Sequence, residues 1–150
     1  MVIEIVIDKE DKGTIVSEIL ADLPQWFGLP DSTAAYVSEA AELPLWVARI
    51  CGKPIGFITL KSTSAETSEI HCMGVLKSHH GNGIGRALFE RAIASLEGKK
   101  LIQVKTVAKG YYEEYDGTNA FYRSLGFIEL EVFPEMWDPW NPCLIMVKCL

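Results

Sequence analysis

The sequence predicts an α/β fold built on a mixed sheet of about seven strands flanked by about four helices. Three observations carry this. Segments of strand-like alternation and of helical spacing succeed one another in the order β-α-α-β-β-β-α-β-α-β-β. Hydrophobic residues make up 49% of the chain and charged residues 23%, an ordinary globular balance. At 150 residues the chain is long enough to bury a core without disulfides or metals. No repeat, low-complexity stretch or Pro/Gly/Ser linker divides it, so a single domain over residues 1–150 is expected.

Residues 2–7 alternate and predict the first strand. Residues 14–23 place Ile15, Ile19, Leu20 and Leu23 at helical spacing, and Pro24 and the Gly28-Leu29-Pro30 group end the pattern. Asp31 or Ser32 can cap a second helix reaching about residue 42. The period then changes: residues 43–50 and 54–61 read as strands joined by the hairpin signal Cys51-Gly52-Lys53. Residues 67–76 form the next strand, with Glu69, His71, Met73 and Val75 on one face and Ile70, Cys72, Gly74 and Leu76 on the other. A glycine-rich loop leads into a helix over about 83–96, striped by Ile84, Leu88, Ala92 and Leu96. Residues 101–108 predict a strand, and 116–125 a helix stopped by Gly126. Residues 127–133 and 143–149 predict the last two strands, separated by a Trp- and Pro-rich loop.

Composition narrows the function. The net charge is −6, a poor basis for binding nucleic acid or anionic membrane, and neither is an expected partner. The charge is unevenly placed. Residues 1–50 hold nine acids and three bases, residues 51–110 four acids and nine bases, and residues 111–150 seven acids and two bases. The cationic middle suits an anion and the acidic flanks a cation. Cys51, Cys72, Cys143 and Cys149 form no Cys-x-x-Cys pair, and His71, His79 and His80 complete no zinc-ligand spacing, so no metal is expected. Cys72 and Cys143 lie in apolar runs, as buried free thiols do. The first eight residues lack a signal-peptide pattern and no apolar run nears the ~20 residues of a membrane span, so a cytoplasmic location is expected.

The most informative segment is Val75-Leu76-Lys77-Ser78-His79-His80-Gly81-Asn82-Gly83-Ile84-Gly85-Arg86, where a strand ends, a loop bends and a helix starts on glycines. Amides at a helix N-terminus converge on one point and the dipole favours an anion there. Glycine lets a phosphate approach the backbone closely. No Gly-Lys-[Ser/Thr] makes this a Walker loop, and Leu88 stands where the dinucleotide fingerprint needs its third glycine.

This segment, with His80-Gly81-Asn82-Gly83-Ile84-Gly85, resembles motif A of the GCN5-related N-acetyltransferases (GNATs), [Arg/Gln]-x-x-Gly-x-[Gly/Ala]. Phe121-Tyr122-Arg123-Ser124-Leu125-Gly126-Phe127 resembles their later Tyr-x-x-x-Gly-Phe segment. The two motifs stand in the right order, and the resemblance covers essentially the whole chain. It departs from the family at His80, where Arg or Gln is usual, and at Thr118 and Asn119 on the late helix.

The resemblance implies a mostly antiparallel GNAT sheet and acetyl-CoA as co-substrate. Its pyrophosphate would sit on His80, Gly81, Asn82, Gly83, Ile84, Gly85 and Arg86, its pantetheine arm along Met73, Gly74 and Val75 as an added strand. Asn119 is carried over as a further cofactor contact. Tyr122 matches the position whose phenol protonates the departing thiolate. Glu69 leads as general base and His71 follows. The implied acceptor is a small-molecule amine met by aromatic and acidic residues of the first two helices and late strands, including Trp26, Phe27, Tyr36, Trp137, Trp140 and the 111–116 segment. A non-catalytic acyl-CoA-binding module and a protein-amine acetyltransferase fit the same residues, as does either a monomer or a homodimer.

Overall fold

A computed structural model describes residues 1–150. Its elements are β1 (Val2–Val6), α1 (Lys9–Ala21), α2 (Pro30–Ala40), β2 (Leu45–Ile50), β3 (Lys53–Ser62), β4 (Thr67–Val75), α3 (Ile84–Ile93), β5 (Leu101–Val107), α4 (Glu113–Ser124), β6 (Ile128–Asp138) and β7 (Asn141–Cys149), with a 3-10 turn at Lys77–His79. Seven strands pair in the order β1-β2-β3-β4-β5-β7-β6. The pairing is antiparallel from β1 to β3 and from β5 to β6, and parallel between β4 and β5. The predicted element order therefore holds. The chain forms two compact units, residues 1–61 with 71–97 and residues 62–70 with 98–150, and β4 contributes to both.

In the first unit the helices α1 and α2 cover one sheet face. Val6, Ile15, Val16, Ile19, Leu20, Leu23, Ala40, Leu45, Val47, Phe57 and Cys72 form one buried cluster, with Trp26, Phe27, Tyr36, Val37 and Leu76 packed against it. Gly74 is where α1 comes close: a Cβ built there would lie 3.0 Å from Leu23 Cδ1 and 3.3 Å from Ile19 Cγ2. Replacing Gly74 with Ala is expected to cost about 1–3 kcal/mol through overpacking, checked by denaturant midpoint at constant m-value. Helix α3 buries Ile84, Leu88, Phe89 and Ala92.

Helix α1 begins five residues before the expected start. Asp8 caps it, its Oδ1 accepting from Glu10 N at 2.8 Å and Asp11 N at 3.1 Å, so the polar first turn needs no apolar stripe to form. Neither Asp31 nor Ser32 caps α2. Pro30 opens it after Leu29, and Thr33 Oγ1 donates to Phe27 O instead.

The second unit pairs Thr67–Ile70 of β4 with Leu101–Val104 of β5 and extends through β7 to β6. The predicted Trp/Pro loop is shorter than expected. Strand β6 continues to Asp138, and Asp138 Oδ1 accepts from Trp140 N at 2.9 Å and Asn141 Nδ2 at 3.0 Å to close a tight turn. Pro134 is tolerated because β6 is an edge strand and its pairing with β7 is irregular between Phe133 and Asp138.

Cys72 and Cys143 are buried and Cys51 and Cys149 exposed. Burial pushes the Cys72 thiol far above its usual range. It pushes Cys143 up to about 11, with Lys105 opposing the rise and Glu69 adding to it. A thiol reagent is therefore expected to modify Cys51 and Cys149 quickly in the native protein, and all four cysteines only after denaturation.

Candidate active site

In the first unit, β4 runs into the 3-10 turn and then into α3. Asp22, at the end of α1, accepts from Lys77 N at 2.8 Å and fixes the start of that turn. His80 Nε2 donates to the Val75 carbonyl at 2.6 Å, and the Trp26 ring meets the His80 ring edge-on at 5.9 Å. His80 thus ties the loop back to the strand it follows. Gly81 and Gly83 adopt φ of +79° and +77°, the left-handed region, and a Cβ at either would meet nothing within 4 Å. Glycine is needed there for the backbone conformation rather than for space.

Gly83 is the N-cap of α3 and no side chain caps the helix. Gly83, Ile84, Gly85 and Arg86 form the start of α3, where helix geometry turns the backbone amides outward. The first turn carries no acid, and Asn82 lies in the exposed bend before it. This is a ready anion site. Arg86 pairs with Glu90 at 3.9 Å on an exposed face.

Met73 and Val75 are half-buried and Gly74 is buried on β4. The β4–β5 ladder stops at the Ile70–Val104 pair, so His71–Val75 lies outside it. That leaves strand backbone which a ligand amide can pair with. His71 carries a dense set of partners. Its Nδ1 is 3.0 Å from Thr59 Oγ1 and its Nε2 is 2.6 Å from Glu39 Oε2. The Tyr36 ring stands edge-on to it at 5.4 Å, and Phe27 edge-on to Tyr36 at 5.7 Å.

In the second unit, Glu69 is buried and engaged: its Oε1 accepts from Gln103 Nε2 at 3.0 Å and lies 3.4 Å from Lys105 Nζ. Tyr122 is buried on α4 against Phe127, ring centroids 5.7 Å apart, and Phe127 N donates to the Tyr122 carbonyl. Asn119 is buried, donates Nδ2 to the Val107 carbonyl at 3.0 Å, and leaves Oδ1 without a hydrogen bond. In the 111–116 segment, Tyr112 and Tyr115 meet edge-on at 6.1 Å, and Tyr112 OH donates to Trp140 O. Burial, with Tyr112 and Glu114 nearby, raises the Tyr115 phenol above its usual range. Trp137 and Trp140 are exposed, and Trp137 lines an open concavity of about 500 Å³ with Pro134, Glu135, Asp138 and Pro139. No group of three or more His, Cys, Asp or Glu side chains gathers as a metal site, and no helix is long and apolar enough to cross a membrane.

Sequence reasoning found His71 but missed Glu39 and Thr59, which complete its surroundings. The only signal for Thr59 was a polar residue inside a buried strand. Glu39 gave none, being 32 residues away on another element.

A family model described as an acetyltransferase (GNAT) domain matches residues 41–129. An uncharacterized N-acetyltransferase of Methanocaldococcus jannaschii is 33% identical over 95 residues, 58% of this chain and 40% of that protein. The chain thus spans about two-fifths of the length of that relative. Among solved structures, a GNAT-family protein of Desulfovibrio desulfuricans superposes with a TM-score of 0.82 at 18% identity, covering 99% of this chain and 98% of the other. An aminoglycoside 6'-acetyltransferase type Ii is 26% identical, with a TM-score of 0.76 over 99% of this chain and 97% of its own. An aminoglycoside 6'-N-acetyltransferase complexed with coenzyme A gives 0.74 at 22% identity over 99% and 97%.

Proposed function

Because the chain belongs to the GNAT acetyltransferase family, whose domain model spans residues 41–129, we propose that it transfers the acetyl group of acetyl-CoA directly to a primary amine of a small cationic molecule. The observation that carries this is the uncapped start of α3, where Gly81 and Gly83 hold left-handed turns directly after β4. In this proposal the amides of residues 83–86 bind the pyrophosphate, with Gly81, Asn82 and Arg86 around it. His80 holds the loop in place, and Met73, Gly74 and Val75 offer strand backbone to the pantetheine amides. Asn119 holds α4 to β5 and keeps Oδ1 as an acceptor for the co-substrate.

The chemistry asks for three things. The ammonium must lose a proton, the thioester carbonyl oxygen needs a donor as it becomes an oxyanion, and the thiolate needs a proton as it leaves. A β4 amide near Met73–Val75 is the oxyanion donor, Tyr122 the acid, and the base is sought at Glu69 or His71. The acceptor class rests on the Phe27–Tyr36–His71 ring series beside Glu39, on the acidic flanks, and on the 26%-identical aminoglycoside acetyltransferase. A protein amine as acceptor, or acyl-CoA binding without turnover, is the alternative.

Calorimetry with acetyl-CoA followed by thiol release across small amines and amine-bearing peptides tests the proposal. Turnover restricted to small cationic amines is expected. Turnover restricted to peptides moves the acceptor class, and binding without any turnover leaves only the module.

A further inference from the structure

We infer that Glu39, backed by a hydrogen-bond relay through His71 to the Thr59 hydroxyl, is the base that deprotonates the acceptor amine, and that Glu69 is not. The relay rests on the acetyl transfer proposed above.

The Thr59 hydroxyl has one proton and two acceptors in reach: His71 Nδ1 at 3.0 Å and the Cys72 carbonyl at 3.2 Å. When Nδ1 is bare, the hydroxyl donates to it. When Nδ1 carries a proton, the ring donates to the hydroxyl, and the hydroxyl turns to the Cys72 carbonyl. Rotation of one O–H therefore satisfies the buried edge of His71 whether or not Nδ1 is protonated, with no heavy atom moving. A buried imidazole with a single fixed partner lacks that freedom.

The other edge points outward. His71 has a side chain only 6% exposed, whereas the Glu39 side chain 2.6 Å from Nε2 is 58% exposed. The carboxylate is thus the member of the pair that an incoming ammonium can reach. Glu69 is placed differently: a buried carboxylate held by Lys105 and Gln103 has its charge already answered. The groups facing His71 are Glu39 and Tyr36 from α2 and Thr59 from β3, and the thiol of its chain neighbour Cys72, which lies in the apolar cluster, is kept protonated by burial.

An N–H bond of the acceptor ammonium breaks and the proton joins the Glu39 carboxylate, whose Oε2 is held by Nε2–H of a ring that accepts the Thr59 hydroxyl at Nδ1. The freed nitrogen lone pair forms the C–N bond to the thioester carbonyl, the C–S bond breaks, and the second N–H proton shed as the amide forms goes to the departing thiolate. Glu39 then releases its proton to water and returns to carboxylate. Glu39 is the catalytic base in this scheme, and His71 and Thr59 are positioning residues.

The test is thiol release against pH for wild type, Glu39→Gln, His71→Ala and Thr59→Val, using an amine that wild type acetylates, with proton NMR of the imidazole N–H signals. Glu39→Gln is expected to lower kcat at neutral pH by about 10²-fold with the KM for acetyl-CoA unchanged. The deficit should shrink as pH rises and the amine arrives already neutral. Added imidazole should restore part of the His71→Ala rate, and Thr59→Val should fall between the two. The wild-type Nε2 proton should give a downfield signal that Glu39→Gln removes. A Glu39→Gln enzyme with the wild-type rate and pH profile, or an unchanged downfield signal, overturns the relay while acetyl transfer stands. Acetyl-CoA binding with no amine acetylated by wild type removes acetyl transfer itself, and the relay with it.

Discussion

Replacing Tyr122 with Phe is expected to lower kcat by about a hundredfold while acetyl-CoA binds as before. The size follows from the acid's task. A coenzyme thiolate expelled without a proton is a poorer leaving group, and a positioned acid contributes typically 10²–10⁴-fold, or roughly 3–5 kcal/mol of barrier. The substitution removes one oxygen from a ring that is buried and packed edge-on against Phe127, so the packing of α4 survives. Single-turnover thiol release separates this from a binding defect. Unchanged turnover removes Tyr122 from the chemistry and leaves it as a core residue.

Replacing Gly83 with Ala is expected to act on binding instead. With φ at +77° and nothing within 4 Å of a new Cβ, the cost is conformational, about 1–2 kcal/mol. If the loop relaxes to a right-handed conformation, the amides of residues 83–86 no longer converge. Acetyl-CoA affinity should then fall by roughly tenfold or more, with thermal stability lowered only modestly. The measurement is calorimetric titration. A variant that binds as wild type does would show that these amides are not what holds the phosphates.

The two motifs were legible because their chemistry is local. Strand, glycine turn and helix lie within twelve consecutive residues, and Gly81 and Gly83 adopt left-handed angles there while Gly85 is helical. Strand alternation along β4 shows in burial over residues 70–75, where Ile70, Cys72 and Gly74 are buried and His71, Met73 and Val75 half-buried, but Glu69 is buried as well. What failed locally has equally local causes. The first turn of α1 is polar and held by the Asp8 cap, so periodicity could not find it. The Trp/Pro stretch looks like a loop, yet an edge strand tolerates proline and the Asp138 turn closes the hairpin.

The partners of the charged groups were not legible, because they come from distant segments. The cationic middle of the chain partly answers its own acids: Lys100 pairs with Glu66 and Lys105 with Glu69. The charge asymmetry therefore overstates what is free to meet a phosphate. Nor could the sequence separate Glu69 from His71 as base. Their order on β4 is plain, but one is tied to a lysine and the other to an exposed carboxylate from α2.

The chain is expected to move an acetyl group from acetyl-CoA to a small cationic amine. The most direct measurement is mass spectrometry of a set of primary amines incubated with the protein and acetyl-CoA, with the free thiol released counted alongside. One mono-acetylated amine per thiol released, abolished by omitting the protein and strongly reduced by Tyr122→Phe, is the predicted result. Acetyl-CoA recovered intact from every incubation, despite binding, would contradict it.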